Sequence, residues 1–247
     1  MTMTPNPPGL PVASIQCDIV WEDARTTCNR LRPRIEAAVG QGAQFIVLPE
    51  MFATGFSLDT DAVAEPPDGA IASFLRDQAE RYAVHVGGSF ACRVEPGELP
   101  VNRFLIAGPH GDSAQYDKIH PFSYGGEDKH YAKGTAAITV DIGEVRVTPF
   151  VCYDLRFADW FWRAAPATDC YVVVANWPAP RAAHWRALLI ARAIENQAYV
   201  VGVNRVGEGG GDEYDGGSIV VDPFGDVLHE ADADEELFIS HVDPGRV

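Results

Sequence analysis

The run Val145-Arg146-Val147-Thr148-Pro149-Phe150-Val151 is a stretch of β-formers that ends at Cys152, after which the chain turns abruptly polar through Tyr153-Asp154-Leu155-Arg156-Phe157. A strand that delivers a thiol to its own C-terminal end, beside Asp154 and Arg156, is a way to present a nucleophile, because α/β proteins put their chemistry at strand ends and loops. Taken alone, such a cysteine is more often a small buried hydrophobe. The segment therefore needs partners from elsewhere in the chain.

Around it, apolar patterns alternate between period two and helical spacing. Val12 to Val20 reads as a strand, and Asp23 caps a helix with Ala24, Cys28, Leu31, Ile35 and Val39 on one face. Pro33 lies inside that pattern, where a kink is expected. Ala43 to Leu48 reads as a buried strand running into Pro49-Glu50, and Ile71 to Tyr82 as an amphipathic helix after a loop. Val84 to Val94 pairs with Val101 to Gly108 across Glu95-Pro96-Gly97, and Ser113 to Lys118 adds a short strand. Ile119 to Gly134 has no clear period, and loops of that length in compact domains are usually functional or disordered. Ala137 to Ile142 and Val145 to Cys152 form a hairpin, with a short helix over Ala158 to Ala165. Then come a strand over Cys170 to Ala175, a helix over Ala183 to Gln197, and strands at Val200 to Val206, Ser218 to Val221, Val227 to His229 and Leu237 to Val242. Two stretches of β-pairing broken by helices predict two packed sheets with helices outside, in one domain over residues 1–247. Gly207 to Glu213 is glycine-rich without the lysine of a phosphate loop and reads as a solvated loop.

Charge and cysteine usage narrow the function classes. With 19 basic and 35 acidic residues the net charge is −16, which argues against nucleic acid or an anionic membrane as partner. An anionic substrate would need a local positive pocket. The proline-rich start, Met1 to Leu10, has neither a basic nor an apolar leader region, and no stretch has the apolar length of a transmembrane helix. Cysteines 17, 28, 92, 152 and 170 are odd in number and widely spaced, giving neither a disulfide framework nor a zinc signature. A reducing, cytoplasmic setting is expected.

Three polar residues stand where strands should end: Glu50 after Phe45-Ile46-Val47-Leu48-Pro49, Lys118 after Gln115-Tyr116-Asp117, and Cys152. Leu48-Pro49-Glu50, Tyr116-Asp117-Lys118-Ile119-His120 and Val151-Cys152-Tyr153-Asp154-Leu155-Arg156-Phe157 resemble, in order and approximate spacing, the three signature segments of the nitrilase (carbon–nitrogen hydrolase) superfamily. The resemblance extends over nearly the whole chain. Glu50 to Ser57, Ala175-Asn176-Trp177-Pro178 and Ala191 to Gln197 are similar to its omega-amidase (2-oxoglutaramate amidase) branch. The resemblance implies an α/β fold, a four-layer α-β-β-α sandwich of the nitrilase type, usually dimeric. The family's Glu-Lys-Cys triad maps onto Glu50, Lys118 and Cys152, and its second glutamate onto Glu127, with Asp128 as the neighbouring alternative. The chain stops at Val247, where relatives tend to continue with a tail that contributes to the dimer.

These residue types suit amide hydrolysis. A free thiol titrates near about 8.5, so little of it is thiolate at neutral pH. Glu50 would take the thiol proton, pass it to the leaving nitrogen and then activate water. Lys118 and the backbone N–H of Tyr153 would face the oxyanion. Glu127 would orient Lys118 or the substrate amide, and no metal or organic cofactor is required. Asp154 and Arg156 are expected to pair with each other and nearby backbone. The resemblance implies a short 2-oxo acid with a terminal amide, 2-oxoglutaramate or 2-oxosuccinamate. Its carboxylate calls for a cation, Arg181 first and Arg205 second, and Phe122, Tyr124 and Trp177 are candidate pocket walls. The expected partners are thus a small-molecule amide, water and a second copy of the chain as a homodimer. Alternatives are another amidase of the superfamily, acting on carbamoylated amines or a deaminated-glutathione-like amide, a non-catalytic binding protein on the same fold, and a thiol redox sensor acting through Cys152.

Overall fold

The computed structural model describes residues 9–247; the proline-rich start of the chain otherwise lies outside the described residues. In chain order the strands are β1 (Leu10–Gln16), β2 (Phe45–Val47), β3 (His85–Cys92), β4 (Val101–Ala107), β5 (Ser113–Asp117), β6 (Val140–Ile142), β7 (Val145–Val151), β8 (Cys170–Val174), β9 (Tyr199–Val203), β10 (Val206–Gly209), β11 (Asp212–Asp215), β12 (Ile219–Val221), β13 (Val227–Glu230) and β14 (Glu236–Val242). The helices are α1 (Ala24–Gly40), α2 (Thr60–Val63), α3 (Ala70–Tyr82), α4 (Ala158–Ala164) and α5 (Ala182–Asn196).

Two six-stranded sheets run β14-β1-β2-β3-β4-β5 and β13-β12-β9-β8-β7-β6. Each has three parallel strands at its heart, β1-β2-β3 in one and β9-β8-β7 in the other, with antiparallel strands outside. Strand alternation assigns the layers. In the first sheet Val12, Phe45, Val47, Phe104 and Ile106 join the core shared with the second sheet, while Ala13, Ile15, Ile46, Leu48, Leu105 and Ala107 pack with Leu31, Ile35 and Leu75 of α1 and α3. Trp185 and Leu189 of α5 and Phe161 of α4 cover the second sheet. The result is the expected α-β-β-α sandwich. β8 is buried at every position, as its unbroken Cys-Tyr-Val-Val-Val requires of a central parallel strand covered on both faces.

Local signals explain most boundaries. The Asp23 side chain accepts from the Thr26 N–H at the start of α1, which continues through Pro33. The expected strand Val200 to Val206 divides in two. After Val203 the Asn204 side chain accepts from the Trp177 N–H and donates to the carbonyls of Trp177 and Gly216, taking the chain out of the sheet. The glycine-rich segment is likewise ordered as the hairpin β10–β11, whose tip glycines, Gly210 and Gly211, both take positive φ. A Cβ on Gly209 or Gly210 would lie under 3 Å from the Trp21 ring, so the missing side chains let the hairpin settle on that indole. The five cysteines are all free, and no helix among the described residues is long and apolar enough to cross a membrane.

Candidate active site

The carboxyl ends of the parallel strands converge, and each delivers a polar residue just past its last pairing position. Glu50 follows β2, Cys152 follows β7 and Asn176 follows β8, while Lys118 follows the antiparallel β5. In open α/β sheets this edge is where ligands bind. Glu50, Lys118, Cys152 and Asn176 line one cavity, walled by Phe56, Phe122, Tyr153 and Trp177.

Its floor is a buried polar cluster. The Lys118 ammonium donates to Glu50 Oε1 at 3.0 Å and to Glu127 Oε2 at 2.8 Å. Glu50 Oε2 accepts from the Asn176 N–H at 2.8 Å, and Glu127 Oε2 also accepts from the Phe122 N–H. Asn102, from β4, donates to Glu50 Oε1 at 2.8 Å and reaches Glu127 Oε1 at 3.4 Å. Burial works against the Lys118 charge, yet the carboxylates of Glu127 and Glu50 hold its pKa well above the ordinary lysine value. Burial pushes the Glu127 carboxyl up, against the pull of Lys118. The ammonium is therefore a permanent charge at neutral pH.

Cys152 opens a 3-10 turn, Cys152–Arg156, with φ of +46°, a left-handed conformation that a non-glycine residue holds only where its surroundings impose it. Asp154 imposes it. Its buried carboxylate accepts from the Val151 N–H at 3.0 Å, the Tyr116 hydroxyl at 2.7 Å and the His120 N–H at 2.8 Å, with His120 Nδ1 at 2.9 Å. The nucleophile's turn is thus tied to the segment that carries Lys118. The pairing of Asp154 with Arg156 expected from the sequence is not formed, because Asp154 points inward to these donors. The Cys152 thiol is held well above its usual pKa, first by burial and then by the Glu50 charge, with Lys118 opposing. At rest it is protonated, and its attack requires a base at the moment of reaction.

The rim carries Tyr153, Phe122, Trp177 and Arg181 on the cavity wall, with Phe56, Pro178, Asp212 and Tyr214. Tyr124 is not brought to the cavity. Its side chain is 87% exposed, because the 3-10 turn Ser123–Gly125 carries it to the surface. Arg205 is also not at the cavity. It is buried under the hairpin, where it pairs with Asp18 at 3.0 Å, donates to three carbonyls and lies 4.5 Å over the Tyr214 ring. Arg156 takes the position that Arg205 does not: its guanidinium faces the cavity, 4.7 Å over the Trp177 ring and 5.9 Å from Tyr153. Arg181 stacks 5.5 Å over Phe122. Among the described residues neither arginine has a carboxylate partner.

Sequence reasoning gave no role to Asn102, Asn176, Asp212 or Tyr214. Asn102 had a signal: it occupies the inner-face register of Phe104 and Ile106, where alternation calls for an apolar side chain. Asp212 and Tyr214 had none, since only the folded hairpin brings them to the rim. Among the described residues no group of three or more His, Cys, Asp and Glu side chains could hold a metal ion.

With this geometry in place, comparison with known proteins is informative. The carbon-nitrogen hydrolase family model matches residues 11–247. The chain is 42% identical to Omega-amidase YafV of Escherichia coli (strain K12), covering 92% of this chain and 86% of that protein. It is 33% identical to the 2-oxoglutaramate amidase of Bacillus subtilis (strain 168), covering 94% and 90%. Its fold is similar to the crystal structure of XC1258 from Xanthomonas campestris, a CN-hydrolase superfamily protein with an arsenic adduct in its active site, with a TM-score of 0.90, 36% identity and coverage of 95% and 91%. The chain belongs to the carbon–nitrogen hydrolase family, whose members are enzymes that hydrolyse carbon–nitrogen bonds.

Proposed function

We propose that this enzyme is an omega-amidase that hydrolyses the terminal amide of a short 2-oxo acid, 2-oxoglutaramate or 2-oxosuccinamate, through a thioester on Cys152. Glu50 takes the thiol proton as sulfur bonds to the amide carbon. Lys118 and the Tyr153 N–H stabilise the oxyanion, and Glu127 orients Lys118. Collapse breaks the C–N bond, the nitrogen takes the proton back from Glu50 and ammonia leaves. Glu50 then deprotonates water, which attacks the thioester and yields the dicarboxylate and the free thiol.

The observation that carries the substrate reading is the pair Arg156 and Arg181 on the cavity wall, two cations without carboxylate partners in a chain of net charge −16. Guanidinium groups beside a nucleophile with no carboxylate partner, Arg156 having only His184 Nδ1 at 3.3 Å, suit a substrate that carries its own carboxylate. Phe122, Tyr153 and Trp177 form walls for the short carbon chain. The names of the two similar amidases point the same way. Ammonia release from 2-oxoglutaramate, 2-oxosuccinamate, glutamine, a carbamoylated amine and a simple nitrile tests the reading. The oxo-amides are expected to lead in kcat/KM; a lead by the carbamoylated amine or the nitrile would overturn the substrate assignment.

The same reading takes residues 1–247 as one domain, working as a homodimer in the cytoplasm. Exposed Trp162, Ile194 and Phe224, on and beside α4 and α5, support a covered face on that side, and free cysteines suit a reducing compartment. Light scattering on the purified protein is expected to give twice the chain mass.

A further inference from the structure

The floor of the cavity holds two buried carboxylates and one ammonium. Glu50 and Glu127 are each fully buried and both lean on Lys118. Two carboxylates that share one cation in a low-dielectric site ordinarily share a proton too, because the second negative charge has nothing to balance it. A proton held on Glu50 would occupy the site the general base needs, and one held on Glu127 would weaken its hold on Lys118.

Among the described residues the only side chain apart from Lys118 that donates to both carboxylates is Asn102. It is 1% exposed, and its Nδ2 lies 2.8 Å from Glu50 Oε1 and 3.4 Å from Glu127 Oε1. Its two N–H bonds thus serve one carboxylate each. With Asn102, Glu50 receives three N–H donors, the others being Lys118 and the Asn176 backbone, and Glu127 also receives three, from Lys118, Asn102 and the Phe122 backbone. Three N–H donors each is the environment that favours the charged form of a carboxylate. The Asn102 carbonyl separately accepts from the Lys118 N–H, so the strand backbone positions the lysine and the side chain addresses its two partners. The cost of this placement is visible: Asn102 Oδ1 is buried without a partner. A fold that needed only packing at this inner-face position would be served by a leucine.

We propose that Asn102 is a positioning residue that keeps the Glu50–Glu127 pair doubly ionised, doing the work of a second cation while adding no charge that would bind the substrate carboxylate in the wrong place. This rests on the reading of Glu50 as general base. The other ionisable groups near the pair are Lys118, Cys152, Tyr131, whose hydroxyl donates to the Ser57 carbonyl, and Tyr214 across the cavity. Burial raises both phenols, so they stay neutral where the carboxylates titrate and leave Asn102 as the neutral donor that decides the balance.

The test is the pH dependence of Cys152 alkylation by iodoacetamide, followed by mass spectrometry in the full chain, beside the kcat/KM profile for 2-oxoglutaramate. Asn102→Leu removes both donors while keeping the branched shape of the side chain, and Asn102→Asp keeps the shape while adding a third acid. In Asn102→Leu the acid limb of both profiles is expected to move up by about one pH unit or more, and further in Asn102→Asp. The loss of rate would then be roughly tenfold larger at pH 6 than on the alkaline plateau. A merely structural role lowers rates at every pH and leaves the limb in place, and that result in either folded variant overturns the inference. If Asn102→Leu does not fold, Asn102→Asp decides alone. If wild-type Cys152 labels no faster than the partly exposed Cys28, the proposed chemistry itself has failed and the role of Asn102 falls with it. A fast-labelling Cys152 whose limb stays put overturns the role of Asn102 alone.

Discussion

The floor and the rim of the cavity solve opposite electrostatic problems with the same kinds of residue. On the floor Lys118 is buried and held by two carboxylates, and every carboxylate oxygen of Glu50 and Glu127 accepts at least one N–H. On the rim Arg156 and Arg181 are half-buried, rest on aromatic faces and lack an anionic partner among the described residues. A closed network fixes geometry, because each member is costly to move. An open pair of cations leaves binding free energy for a ligand that brings the missing charge. The floor thus suits the reaction and the rim the choice of substrate. Arg205 makes the contrast sharper: it is the same residue type, a short way along the chain, yet its bonds to Asp18 and three carbonyls fix the hairpin.

Breaking the floor is expected to have the largest effect. Cys152→Ala should lower turnover by roughly 10⁴-fold or more while leaving thermal unfolding close to wild type, measured by ammonia release and calorimetry. Lys118→Met leaves Glu50 and Glu127 buried without a cation, which should cost about 3–5 kcal/mol of stability and stop turnover, read from denaturant unfolding and the same assay. Breaking the rim should look different. Arg156→Met or Arg181→Met is expected to raise KM for an anionic amide by roughly 10–100-fold, with kcat changed only a few-fold and a neutral amide unaffected. A matched fall in kcat would instead place these arginines in the reaction step. The smallest effect belongs to Tyr124→Ala. With its ring exposed and outside the cavity, stability should change by less than about 0.5 kcal/mol and KM should hold.

The same contrast separates what was legible in the sequence from what was not. Glu50, Lys118 and Cys152 stand just past strands that local patterns predict, and the resemblance of the segments around them to the family's signatures, which also picks out Glu127, is what marked them as a set. The layers were legible from local pattern, since alternation in β2 and β4 separates the two faces of the first sheet. Rim residues depend on long-range packing. Asp154 and Arg156 are two apart and of opposite charge, which suggested a pair, yet Tyr116 and His120 reach Asp154 from β5 and the loop beyond it and leave Arg156 to the cavity. Gly207 to Glu213 looked like a loop because glycine and acid dominate it. Its order comes from Trp21 and Arg205, whose positions the local sequence does not reveal.

The most direct test of the account is to catch the thioester. The protein is mixed with 2-oxoglutaramate, quenched in acid within the first turnovers, digested and mapped by mass spectrometry. An acyl group on the peptide bearing Cys152, absent from the peptides of the other four cysteines and absent in Cys152→Ala, is the expected result. Ammonia released at an undiminished rate by Cys152→Ala would contradict it.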